Sequence, residues 1–223
     1  MEIEKMTITE GVYLAKTETP GLVDLEDTNN FGLHHRVEDV KSASRRTEII
    51  MTGVLLKELF GDGCRLEHEA SGKPYLRQGD GTTPAGDISI SHCRGAVVVA
   101  YRPEGPVGVD VEHERDQVMR IRERFQSDEE MRFTGLSVWK NTLAWTAKEA
   151  LFKCIPESGV DFRSDLSIDL RELKEGASRQ EYTGTAYGRR YRMISLSSDG
   201  FVLTVAIPDR KSTRLNSSHS KIS

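Results

Sequence analysis

One pattern occurs twice in this chain, and few architectures accommodate it. Ile88-Ser-Ile-Ser-His92 leads through a turn at Arg94-Gly95 into the apolar run 96–101, and about 105 residues later Ile194-Ser-Leu-Ser-Ser198 leads through Asp199-Gly200 into 201–206. A strand with small polar residues, a glycine turn and an apolar return strand make a β-hairpin whose second strand lies inside a sheet. An amphipathic helix precedes each hairpin at a distance. The first spans 47–60, with Ile49, Ile50, Val54, Leu55, Leu56 and Leu59 on its apolar face and Gly61-Asp62-Gly63 at its end. The second spans 139–154, where Leu143, Ala144, Ala147, Ala150, Leu151 and Cys154 form the stripe. The repetition implies an α+β fold of two similar α/β halves, 1–104 and 105–208, linked at 103–106. Two unrelated hairpins of like chemistry are the alternative.

Residues 3–25 read as strand and turn, with strands at 7–9 and 12–14; helical patterning starts near Val37, and Gly72-Lys73-Pro74 sits in a loop. From Asp209 the chain loses all apolar period, and a tail of this kind does not bury enough surface to offset its ordering entropy. Residues 209–223 also resemble a translated sequencing adapter, so the tail is set aside and His219 receives no role. The net charge of −4 argues against a nucleic-acid face, and no apolar run approaches a membrane span. Cys64, Cys93 and Cys154 have no metal spacing and suit a reducing compartment, so a cytoplasmic protein is expected. His34-His35 has no partner at metal spacing and reads as surface.

The chemistry concentrates in two segments. In Gly108-Val-Asp-Val-Glu112, Val109 and Val111 alternate with Asp110 and Glu112, so both carboxylates leave one strand face, about 6.5–7 Å apart. Like charges this close need solvent or a cation between them, and an all-oxygen pair suits Mg²⁺ or Mn²⁺ better than zinc. Read alone, the pair is a weak signal and suits an ordinary polar strand face better. In Trp145-Thr-Ala-Lys148-Glu149-Ala-Leu-Phe-Lys153, Glu149 and Lys153 are an i,i+4 pair on one helix face, which alone could be a surface ion pair. Together the segments supply three carboxylates for a divalent ion and two lysines for phosphates, the requirements of phosphoryl-group transfer.

The double motif resembles the two-part signature of the 4′-phosphopantetheinyl transferase superfamily. Gly72-Lys73-Pro74 and Ile90-Ser91-His92 resemble its larger, pseudo-dimeric class, named after the surfactin-synthetase activator, and 125–130 resembles the family's R-F-x-S-x-x-E stretch. The likeness covers about 37–207. It implies two halves related by a pseudo-two-fold axis with the active site between them, and transfer of the phosphopantetheine arm of coenzyme A to a serine of an apo acyl or peptidyl carrier protein. By the resemblance Asp110, Glu112 and Glu149 ligate Mg²⁺, Glu149 also activates the serine, and Asp110 and Lys153 share the catalytic work. Lys153 and Lys148 hold the diphosphate; Ser91, His92, Lys73 and Arg45 or Arg46 meet the nucleotide end. Where relatives have Ser-His-Ser this chain has Ser91-His92-Cys93, which threatens one hydrogen bond and not the chemistry. A monomer is expected, with residues about 120–132 and Trp139-Lys140 as carrier contacts or simply a solvated face.

Two other classes compete. Another Mg²⁺-dependent phosphotransfer enzyme would want a phosphate-cradling G-x-x-x-x-G-K-[ST] loop or a D-x-D-x-[TV] nucleophile, and neither is present. A non-catalytic coenzyme A or carrier-binding module would be expected to have lost a carboxylate or Lys153, and all remain.

Overall fold

Two serines set where the long helices begin. Ser42 Oγ accepts from Arg45 N and starts α1, Ala43–Phe60, four residues before the apolar period strengthens. Ser137 Oγ accepts from Lys140 N in the same way and starts the later long helix at Val138. The computed structural model describes residues 3–9, 12–17, 33, 37, 40–61, 63–83, 86–198 and 200–209. His34-His35 and the tail from 210, with His219, lie outside them. Among the described residues no helix is long and apolar enough to cross a membrane.

The chain divides into two compact units, Met1–Gly105 and Pro106–Ser223. In the first, β1 (Glu4–Thr9), β2 (Val12–Thr17), β5 (Asp87–Cys93) and β6 (Ala96–Arg102) form an antiparallel sheet ordered β1-β2-β6-β5. Ala96 to Ala100 are buried on both faces, as an interior strand requires. Turn residue Gly95 has φ 93°, the left-handed region where a side chain would be strained. The expected loop around Gly72 instead joins a second hairpin, β3 (Cys64–His68) and β4 (Pro74–Gln78), with Leu66 opposite Leu76. Polar residues separate its few apolar positions, too thin an alternation to read. Met51, Leu55, Leu56 and Val99 centre this unit's core.

The second unit has a five-stranded sheet ordered β7-β11-β10-β9-β8: β7 Gly108–His113, β8 Leu166–Ile168, β9 Arg179–Ala186, β10 Arg189–Ser198 and β11 Phe201–Pro208. Helices α2 (Gln117–Phe125), α3 (Asp128–Thr134) and α4 (Val138–Cys154) follow β7. Leu143, Ala147, Leu151 and Met193 are fully buried where α4 packs on the sheet. The β10–β11 hairpin has the expected register, Ser198 opposite Phe201, around Gly200 at φ 77°. The hairpins differ in setting: among the described residues β5 ends its sheet, whereas β10 continues into β9 and β8.

Candidate active site

Gly108 allows the strand and helix that carry the carboxylates to meet. A Cβ at Gly108 would lie 1.9 Å from the Ala150 carbonyl oxygen, so α4 crosses β7 with no side chain between them. Gly108, Asp110 and Glu112 share the face toward α4, and successive strand residues meet successive helical turns in reverse order. Lys153 Nζ donates to Asp110 Oδ1 at 2.7 Å and to the Val109 carbonyl at 3.1 Å. Two turns earlier in the helix and two residues later in the strand, Trp145 Nε1 donates to Glu112 Oε1 at 3.2 Å. Glu149 lies between these anchors on the helix. Asp110 is buried, 4% exposed, which removes the reading of the pair as a plain solvated strand face.

The electrostatics register the crowding. Burial, and then the Asp110 charge, push the Glu149 carboxyl up to about 7, with Glu112 adding to the rise and Lys153 opposing it. Burial and Asp110 raise Glu112 as well, against the Trp145 hydrogen bond and Lys153. Three acidic groups thus feel one another with one ammonium among them, which is an excess of negative charge.

Among the described residues no group of three or more His, Cys, Asp or Glu side chains is gathered to hold a metal ion, and Asp110 pairs with the Lys153 ammonium. The donor chemistry nonetheless fits a hard divalent cation: all oxygen, mutually repelling, with two proton affinities raised by burial and by the third charge.

Lys148 needs correction. The diphosphate contact expected for it does not agree with its position, since the side chain is wholly buried. Its ammonium donates to Glu130 Oε2 at 2.7 Å and to the carbonyls of Phe125, Phe162 and Leu166 at 2.7, 2.8 and 2.9 Å. Burial lowers its pKa, and Glu130 opposes the drop. Glu130 in turn closes the α3 capping box and accepts from Ile168 N at 2.9 Å. Lys148 therefore ties α2, α3 and 162–168 to α4; its neighbour Glu149 faces another way because one helical step is about 100°.

In the first unit, Arg45, Glu48, His68 and His92 line a cavity of about 170 Å³ together with Gly72 and Pro74. Arg45 donates to Glu48 Oε2 at 2.9 Å and to His92 Nε2; His92 Nδ1 is 3.3 Å from Glu48 Oε2. Lys73 Nζ pairs with Asp87 at 3.0 Å and does not line this cavity. Two further expected residues are not brought here. Ser91 is buried on the opposite face of β5 from His92, as strand alternation demands, and Arg46 lies outside the residues that line the cavity. Cys93 is a half-buried thiol, outside any disulfide, one residue beyond His92.

The sequence reading did not assign Glu48, Trp145 or Gly108 a role. Glu48 is three residues after Arg45 and Trp145 four before Glu149, both same-face helical spacings, so the signal was present for each. The closeness of Gly108 to Ala150 has no sequence signal of its own.

Residues 106–206 match the family model of the 4′-phosphopantetheinyl transferase superfamily. The match begins with the second unit and takes in β7, α4 and most of β11, hence every carboxylate of the candidate site. No curated protein matches the chain.

Proposed function

We propose that this protein transfers the 4′-phosphopantetheine group of coenzyme A to a serine of an apo acyl or peptidyl carrier protein, releasing adenosine 3′,5′-bisphosphate. The reading rests above all on the meeting of Asp110, Glu112, Glu149 and Lys153 where β7 crosses α4, inside the segment that matches the superfamily. We assign the chain to the larger, pseudo-dimeric class. The repeated hairpins and the Gly72-Lys73-Pro74 and Ser91-His92 motifs support that, and with it a fold of two related halves, divided at 104/105 and acting as a monomer in the cytoplasm.

Mg²⁺ or Mn²⁺, held by Asp110, Glu112 and Glu149, would supply charge neutralisation for the diphosphate. Glu149, poised near neutrality, accepts the proton of the carrier serine as its oxygen bonds to the β-phosphorus and the bond to the leaving bisphosphate breaks. Lys153 exchanges Asp110 for a phosphate oxygen and offsets charge on the leaving group. Arg45, His92 and Lys73 take the phosphate at the nucleotide end. Apo carriers of the fatty-acid, polyketide and peptide-synthetase types should be incubated with coenzyme A and Mg²⁺ and weighed by mass spectrometry. A gain of about 340 Da on one of them, lost in Asp110→Ala, is the expected result. Binding of coenzyme A with no mass gain on any carrier would point instead to a non-catalytic module.

A further inference from the structure

Glu48 reaches Arg45 and His92 through one oxygen, while the guanidinium also reaches the imidazole. A guanidinium only donates, so His92 Nε2 accepts from Arg45 and the ring proton sits on Nδ1, toward Glu48. His92 in this form is neutral, and its Nε2 has no hydrogen to give an anion. A phosphomonoester entering the cavity would bond well only if Arg45 leaves Nε2 and a proton arrives there. The product is an imidazolium between Glu48 on one side and the phosphate on the other. Among the described residues lining the cavity the other titratable or charged groups are Arg45, Glu48 and His68, and Glu48, 3.3 Å from Nδ1, is placed to stabilise that imidazolium.

We infer that Glu48 is a positioning and specificity-determining residue, which makes recognition of a phosphomonoester by Arg45 and His92 depend on the uptake of one proton by His92. The proton comes from solvent and returns to it when the ligand leaves. The inference rests on the proposed binding of the nucleotide-end phosphate here and adds to it a residue and a proton linkage. Affinity for a ligand bearing that phosphate should fall with rising pH, while affinity for one without it should not.

Calorimetric titration tests this with adenosine 3′,5′-bisphosphate and 5′-AMP at about pH 8, in buffers of different ionisation heat. There free imidazole is neutral and the phosphate already dianionic, so uptake reports the ring. The wild-type protein should take up most of one proton with the bisphosphate and none with 5′-AMP. Glu48→Gln should lose the uptake and about tenfold of the preference for the bisphosphate, the loss of one charge-assisted hydrogen bond. If Glu48→Gln fails to fold, His92→Gln must lose the uptake instead. Unchanged uptake and preference in Glu48→Gln, or wild-type preference without uptake, overturns the inference. So does absence of any preference, and a carrier that still gains mass would then leave the transferase reading standing.

Discussion

Replacing Glu149 by glutamine should make the metal-free protein more stable while ending its activity. The Glu149 carboxyl is raised from an ordinary 4.5 to about 7, so the folded protein holds this proton more tightly than the unfolded chain does. Between those values the folded state binds more protons, and stability falls as pH rises from 4.5 to about 7, then levels off. The full displacement corresponds to about 3 kcal/mol, and partial solvent access to the side chain reduces the expectation to about 1–3 kcal/mol. Urea unfolding with a chelator present provides the assay. At about pH 8 the Glu149→Gln variant should exceed wild type by that margin, and at about pH 4.5 the two should agree within about 0.5 kcal/mol. Excess Mg²⁺ should then raise the wild-type midpoint and leave the variant where it was. Equal or lower stability of the variant at the higher pH would refute the account of the crowded carboxylates.

Gly108→Ala should force α4 away from β7, costing about 1–3 kcal/mol of stability and far more in turnover. The Glu149 titration, followed by NMR, should then move back toward the ordinary range. Trp145→Phe keeps an aromatic ring against Phe125 and removes the N–H that holds Glu112, together with part of the ring area packed near Phe162. About tenfold weaker Mg²⁺ binding by calorimetry is expected, with adenosine 3′,5′-bisphosphate affinity intact. Lys148→Met leaves Glu130 buried without its ammonium and three carbonyls without their donor. A loss of about 3–5 kcal/mol by urea unfolding is expected, partly recovered in Lys148→Met/Glu130→Gln, with no selective effect on coenzyme A affinity in either if folded.

What could be read from the chain follows from the range of each interaction. Both long helices and both hairpins declared themselves, because apolar period and glycine turns are local signals; only the helix starts moved, drawn back by Ser42 and Ser137. The β3–β4 hairpin and β8–β9 were not legible, being short or thinly alternating. Within the site, spacing along one strand and one helix put Asp110 with Glu112 and Glu149 with Lys153, yet nothing in spacing says that β7 and α4 touch. That knowledge came from the motif, and its physical reason is the missing side chain at Gly108.

The errors over Lys148 and Ser91 share one cause that the structure makes plain. Each stands next to a site residue, Glu149 or His92, inside a motif whose resemblance implies a role for both neighbours. But neighbours diverge by about 100° on a helix and by a half-turn on a strand, so a residue beside an exposed functional group is the one most apt to point into the core. A lysine there must be neutralised and hydrogen-bonded, which Glu130 and three carbonyls do for Lys148; a serine such as Ser91 buries far less polar surface. The same geometry gives the two neighbours different work: Lys148 fixes the helix against α2 and α3, and Glu149, one helical step on, feels the Asp110 charge.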